Sequence, residues 1–263
     1  MEDADPVAGD GDTEAESRRK AAARALRLLD LTSLGADDRP ADIDALCDAA
    51  VTPHGSVAAV CVWPRFVTQA VDRLTGTGVA VCAVANFPEG GDDPSAAVEE
   101  ALAIMADGGD EVDVVVPWRE LLAGRSGAVE ALVATVRRAL DPGVGLKAIL
   151  ETGELDDAEL IARAAREALD GGAGFLKTST GKTARSATPE AAATLLAVLA
   201  ERRAGDGSGA SAGIKISGGV RDLAAATGYL ALADDVMGPD WADPAHFRFG
   251  ASGLLDDLLR QLG

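Results

Sequence analysis

The strongest constraint on this chain is an alternation that runs almost its whole length. From residue 29 to residue 262, eight short apolar runs each lead into a longer segment rich in Ala, Leu, Glu and Arg. The runs fall at 29–33, 57–62, 79–85, 111–116, 145–150, 174–178, 213–216 and 246–250. Helices are predicted at 40–50, 64–76, 94–107, 125–140, 155–169, 188–203, 220–233 and 252–262. Pro94-Ser95, Thr188-Pro189-Glu190 and Ser252 stand at helix openings, and Gly108-Gly109 and Gly171-Gly172 at helix ends. A helix between two strands carries the chain back to where the first strand began, so consecutive strands run parallel. Eight such units in 263 residues match, in number and size, the closed (β/α)8 or TIM barrel. The alternative is an open doubly wound sheet. That fold opens with a glycine-rich fingerprint after its first strand, which Leu31-Thr32-Ser33-Leu34-Gly35 is not.

The barrel domain is expected to span 17–263, with a helix-forming lead-in at 17–28. Residues 1–16 are acidic and nearly devoid of large apolar side chains, so they are expected to be a disordered tail. A Gly/Ser linker is expected at 205–213.

Strands covered on both faces should read as unbroken aliphatic runs. Several here do not. Asp30 interrupts the first, Asp113 the fourth, Lys147 the fifth, Lys177 the sixth and Lys215 the seventh. Because side chains alternate along a strand, these five can point into the barrel while their neighbours face the helices. Burying charge is costly, and five charges converging on one interior exceed what a structural ion pair requires. Two carboxylates would then face three ammonium groups. Deprotonating one lysine relieves that imbalance, and a neutral buried amine can form a Schiff base with a carbonyl. This count does not say which lysine is neutral.

Other chemistries fit less well. His54 and His246 fall just before strands, at the face opposite to that where barrel active sites lie, which argues against a histidine-based triad or metal centre. Gly181-Lys182-Thr183 resembles the end of a nucleotide-binding loop, but the glycine such a loop needs five residues earlier is replaced by Leu176. Cys47, Cys61 and Cys82 form no disulfide framework, and Cys61 and Cys82 read as small core residues. No metal or organic cofactor is expected. With 43 acids against 24 bases, the net charge of −19 disfavours nucleic acid. No apolar run has membrane-spanning length, and without a signal pattern a reducing cytoplasm is expected. Only five of the bases are lysines, so the charged surface must be built from arginine and acids. Adaptation to high salt is one cause of such a surface and a GC-rich genome another.

Two glycine clusters suggest an anion site. Gly218-Gly219-Val220-Arg221 follows the seventh strand and Gly250-Ala251-Ser252-Gly253 the eighth, each opening a helix. Barrels commonly bind phosphate at those two loops. Lys182, in the loop after the sixth strand, adds a cation.

At these residues the chain resembles the deoxyribose-phosphate aldolases. The matching stretches include Leu29-Asp30-Leu31-Thr32, Cys61-Val62-Trp63-Pro64-Arg65-Phe66, Asn86-Phe87-Pro88, Glu111-Val112-Asp113-Val114-Val115 and Leu146-Lys147 through Glu151-Thr152-Gly153. They continue with Phe175-Leu176-Lys177-Thr178-Ser179-Thr180-Gly181-Lys182, Gly213-Ile214-Lys215 to Arg221, and Arg248-Phe249-Gly250-Ala251-Ser252. The resemblance implies reversible cleavage of 2-deoxy-D-ribose 5-phosphate to D-glyceraldehyde 3-phosphate and acetaldehyde, without metal. It implies that Lys177 forms the Schiff base, that Lys215 beside it lowers its pKa, and that Asp113 with Lys215 and a water relays protons. Asp30 and Lys147 would support that network. Gly181, Lys182, Gly218, Gly219, Gly250 and Ser252 would hold the phosphate. Some members carry a second serine where this chain has Gly253, and a C-terminal tyrosine where its only tyrosine is Tyr229. Another lysine-dependent sugar-phosphate aldolase, or a silent sugar-phosphate binder on the same barrel, is the alternative. A homo-oligomer is expected, the dimer being the commonest symmetric form.

Overall fold

A computed structural model describes residues 10–206 and 212–263. Among them, eight parallel strands close a barrel: β1 (Leu29–Thr32), β2 (Ala59–Val62), β3 (Ala80–Ala85), β4 (Glu111–Val115), β5 (Gly145–Ile149), β6 (Phe175–Lys177), β7 (Gly213–Ser217) and β8 (Phe247–Ala251). Each strand pairs with its neighbours in sequence, and β8 closes on β1 through Leu29 opposite Phe249 and Asp30 opposite Gly250. All eight expected strands are present, with ends differing by at most two residues. A two-stranded hairpin, Val51–Thr52 with Gly55–Ser56, precedes β2 and was not anticipated. It places His54 on an exposed turn.

The main helices are α1 (Asp10–Arg27), α2 (Pro40–Ala49), α3 (Val67–Leu74), α4 (Pro94–Ala106), α5 (Ala128–Ala139), α6 (Ala158–Asp170), α7 (Pro189–Asp206), α8 (Leu223–Met237) and α9 (Leu254–Leu262). Asp93 caps α4, accepting the Ser95 amide at 2.9 Å, one residue ahead of the expected Pro94-Ser95 signal. Thr188 opens α7 as expected, its hydroxyl accepting the Ala191 amide. Among the described residues no helix is long and apolar enough to cross a membrane.

Two boundaries need correction. Helix α1 begins at Asp10, so 10–16 are helical rather than part of a disordered tail; residues 1–9 lie outside those described. Ion pairs one turn apart, Arg18 with Glu14 and Lys20 with Glu16, support these exposed first turns. The last turns bury Ala22, Ala25 and Leu26, and Arg24 forks onto Asp234 of α8 with two 2.6 Å bonds. The expected linker at 205–213 is likewise shorter, because α7 runs to Asp206 and β7 starts at Gly213; 207–211 lie outside the described residues.

The strand alternation separates two apolar environments. Leu29, Leu31, Val60, Val62, Val112, Val114, Ile214, Ile216, Phe247 and Phe249 face outward into one continuous core beneath the helices. Inside the barrel a second, small cluster holds Leu34, Cys61, Cys82 and Val84. Cys61 and Cys82 thus line the interior with the charged residues, a placement that their apolar sequence context concealed.

Candidate active site

The five charged strand residues singled out from the sequence all converge inside the barrel. Asp30, Asp113, Lys147, Lys177 and Lys215 are each no more than 3% exposed. Asp113 is the hub. Lys177 Nζ and Lys215 Nζ each donate to its Oδ2 at 2.8 Å, and Lys147 Nζ donates to its Oδ1 at 2.9 Å. The Cys82 thiol donates to Oδ1 at 3.1 Å. Asp30 Oδ2 lies 2.5 Å from Lys215 Nζ, an ion pair without hydrogen-bond alignment.

Two further residues join them. Arg248 in β8 donates from Nη1 to Asp30 Oδ1 at 2.6 Å and from Nη2 to Glu111 Oε1 at 3.0 Å. Glu111 in turn accepts from Lys147 through Oε2. The same test applied to the sequence would have found Arg248, a charge inside Phe247-Arg248-Phe249, and Glu111, two residues before Asp113 and on the same face.

The register explains why these charges mix rather than segregate. Lys215 stands opposite Lys177 on one side and Arg248 on the other, so three cations occupy adjacent strands. Carboxylates from β1 and β4 reach across the interior to interleave with them. The resulting fields are strong. Burial opposes ionisation of Asp113, but Lys147, Lys177 and Lys215 outweigh it and hold its carboxyl well below the usual carboxylate range. Burial likewise disfavours the charged forms of Lys147 and Lys215, yet the surrounding carboxylates, Asp113 foremost, push both well above the usual lysine value. Cys61, Cys82 and Asp113 bring three ligand-type atoms within 4.8 Å of one another, but the Lys147 and Lys215 ammonium groups on that carboxylate oppose a dication there.

Above the network, at the C-terminal end of the strands, opens a cavity of about 660 Å³. Lys177 is the only one of the three barrel lysines that lines it. Gly181, Lys182, Gly218, Gly219, Gly250 and Ser252 line it too, together with Thr32, Ser217 and Gly253. Gly218 and Gly219 have φ of +86° and +87°, a left-handed backbone that glycine alone adopts without strain. The two helices opened by the glycine clusters differ. Asp222 caps α8 through the Ala225 amide, and Asp257 accepts the Leu223 amide. Helix α9 has Gly253 as its N-cap and so no side-chain cap, which leaves its first-turn amides their donor capacity beside the cavity. Lys182 Nζ reaches across the mouth to the Leu34 carbonyl at 2.7 Å. The Ser217 hydroxyl, almost fully buried, has no hydrogen-bond partner among the described residues.

Glu151 shapes the loop after β6. Its backbone is left-handed (φ 54°) and its buried carboxylate accepts from the Thr180 hydroxyl at 2.5 Å and the Thr180 amide. Burial pushes this carboxyl up, partly offset by the Thr180 bonds. The histidines stay away from this region: His246 stacks on Trp241 and meets Asp243 at the entrance to β8.

Comparison with known proteins adds to this geometry. The family model for DeoC/LacD family aldolases matches residues 19–237. The deoxyribose-phosphate aldolase of Agrobacterium fabrum is 46% identical over 250 residues, covering 95% of this chain and 94% of that protein. A crystal structure of a candidate deoxyribose-phosphate aldolase from Toxoplasma gondii superposes with a TM-score of 0.85 at 29% identity, covering 95% of this chain and 96% of that one. The tetrameric deoxyribose phosphate aldolase of Aeropyrum pernix shares the fold, with a TM-score of 0.71 at 22% identity and 97% coverage of both chains.

Proposed function

This chain belongs to the DeoC/LacD family of aldolases, and from that premise we propose that it cleaves 2-deoxy-D-ribose 5-phosphate reversibly to D-glyceraldehyde 3-phosphate and acetaldehyde through a Schiff base on Lys177. One observation carries the assignment of the nucleophile. Lys177 alone among the buried lysines lines the cavity, and its amine meets a single carboxylate. Lys147 and Lys215 are each shared between carboxylates below it.

The steps follow from that placement. The free amine of Lys177 adds to the C1 aldehyde of the open-chain sugar, and the carbinolamine loses water to leave a protonated imine. The imine accepts the electron pair of the C2–C3 bond as the C3 hydroxyl gives up its proton. Glyceraldehyde 3-phosphate departs and a two-carbon enamine remains. Protonation of its terminal carbon, then hydrolysis, releases acetaldehyde and regenerates the amine. Lys215 and Asp113, with a water, exchange these protons. Because Asp113 is held so far below the usual carboxylate range, its part in that exchange is to stay ionised and accept from Lys177 and Lys215, which orients both nitrogens on its Oδ2. Asp30 and Lys147 hold Asp113 and Lys215 in place.

The 5-phosphate is assigned to the far side of the cavity. The uncapped start of α9, the loop glycines Gly181, Gly218, Gly219 and Gly250, Ser252 and the Lys182 ammonium supply its donors. The protein would act on small molecules in the cytoplasm, in deoxyribonucleotide breakdown, as a homo-oligomer.

Borohydride reduction in the presence of acetaldehyde tests the reading. An ethyl group is expected on Lys177, located by peptide mass spectrometry, and Lys177→Arg is expected to abolish both labelling and turnover with the fold intact. Labelling of Lys147 or Lys215, or none at all, would overturn the assignment.

A further inference from the structure

The contacts beneath Lys177 form a closed circuit. Arg248 bonds Asp30 through Oδ1, and Asp30 pairs with Lys215 through Oδ2. Lys215 bonds Asp113 through Oδ2, and Asp113 bonds Lys147 through Oδ1. Lys147 bonds Glu111 through Oε2, and Glu111 returns to Arg248 through Oε1. Positive and negative groups alternate around this ring, and each carboxylate gives one oxygen to each neighbour. The ring holds three cations and three anions, so it is neutral, and Lys177 hangs from Asp113 outside it.

Arg248 is built for the closing position. Only a guanidinium presents two nitrogens in a rigid fork, and here each nitrogen meets a different carboxylate. Its Nε is tied to the Pro244 carbonyl, which fixes the fork. The ring of Phe175 lies 5.8 Å from its Cζ and 6.0 Å from Lys147 Nζ, closing the interior on that side. Neither Arg248 nor Glu111 lines the cavity.

We propose that Arg248 and Glu111 are positioning residues for the aldol reaction: by closing a neutral ring of alternating charges, they fix Asp113 and Lys215 against Lys177. This rests on Lys177 being the Schiff-base lysine. Without Arg248, Asp30 keeps Lys215 as its near partner and Glu111 keeps Lys147. The open chain then carries one excess negative charge, and its members can turn. The titratable groups inside the barrel that feel this change are Asp30, Cys61, Cys82, Glu111, Asp113, Lys147, Lys177 and Lys215. Extra negative charge favours the protonated lysines, so imine formation needs higher pH.

Three variants separate charge from geometry: Arg248→Met, Arg248→Lys and the double variant Arg248→Met/Glu111→Gln, which is open but neutral. Each is assayed across pH for kcat and KM on 2-deoxyribose 5-phosphate, and for the rate of borohydride trapping with acetaldehyde. Melting curves establish the folded fraction. Arg248→Met is expected to lose roughly 10²-fold in kcat, the scale of a 1 Å misplacement, with KM nearly unchanged and the rising limb of the pH profile moved to higher pH. The double variant should return the limb towards wild type without recovering kcat. Arg248→Lys should keep the wild-type limb and lose kcat, because one ammonium cannot reproduce the fork. Folded variants with wild-type kcat and pH profile would overturn the proposal. If Arg248→Met fails to fold, the other two decide it, and wild-type kcat in either refutes it. A wild-type protein that is not trapped on Lys177 would instead defeat the Schiff-base reading itself.

Discussion

At the scale of single residues, the proposed Schiff-base chemistry turns on which lysine gives up a proton. Lys215 touches two carboxylates, and their field keeps it protonated at rest, so it stands as a cation beside the Lys177 amine. Lys215→Leu is expected to lower turnover at neutral pH and to move the rise in imine formation to higher pH, read from borohydride trapping rates. It also takes away a cation that Asp30 and Asp113 share, leaving Asp30 to Arg248 and Asp113 to Lys147 and Lys177, so a stability loss of up to about 3 kcal/mol is expected in denaturant titrations. Acid behaviour follows from the carboxylates. Asp30 is buried, which raises its pKa, but Lys215, Arg248 and Lys147 overcome burial and hold it below its ordinary value of 3.8. A carboxyl depressed on folding adds stability that is complete above its unfolded pKa and disappears as pH falls through the folded one. The stability gap between wild type and Asp30→Asn is therefore expected to stay constant at neutral pH and to narrow below about pH 4. A gap that widens on acidification would contradict this sign.

At the scale of elements, the site is made by strand ends and by the helices that follow them. Strands β1 and β4 to β8 supply the charges, because alternation sends every second side chain inward and leaves the aliphatic neighbours for the helices. Glycine at 250 in β8 leaves the room that the β7 side chains fill: a Cβ there would stand 2.2 Å from Ser217 Oγ and 2.9 Å from Lys215 Cε. The uncapped start of α9 has its own consequence. Gly253→Asp would place a carboxylate where the first-turn amides now face the cavity. It is expected to raise KM for the phosphorylated sugar roughly tenfold or more, about 1.4 kcal/mol of lost binding. KM for unphosphorylated 2-deoxyribose should change little, and the melting temperature should hold or rise. An equal effect on both sugars would remove α9 from the phosphate site.

At the scale of the whole molecule, the −19 charge acts at a distance. Many acids lie on exposed positions paired with arginines, as in Arg202 with Asp170 and Arg166 with Glu201, but 24 bases cannot neutralise 43 acids. The excess repels itself, and the Debye length controls its reach, about 30 Å at 0.01 M salt and about 3 Å at 1 M. Melting temperature and activity are expected to rise as KCl goes from dilute to molar. The measurement is a series of thermal melts and initial rates over that range. A melting temperature that is flat or falls with salt would leave codon bias as the better account of the composition.

The architecture was legible in the alternation of apolar runs and helical segments. Eight strand–helix units leave few ways to bury eight apolar runs, and a charge inside such a run has nowhere to go but the barrel interior, so Asp30, Asp113, Lys147, Lys177 and Lys215 were legible as one group. The glycine clusters were legible as loop residues after the seventh and eighth strands, and the structure puts them in the lining of the cavity. Tertiary structure decided the pairings. Residues as distant in sequence as Asp30 and Arg248 meet only because β8 closes on β1 in one register, and that register decides which oxygen faces which nitrogen. The same closure made Glu111 and Arg248 partners and carried Lys182 across the mouth to Leu34, while the pairing of β3 with β4 brought Cys82 onto Asp113. Local sequence sets the direction in which a side chain points; the group it meets depends on how far the opposite wall of the barrel stands, a distance fixed only when all eight strands have paired.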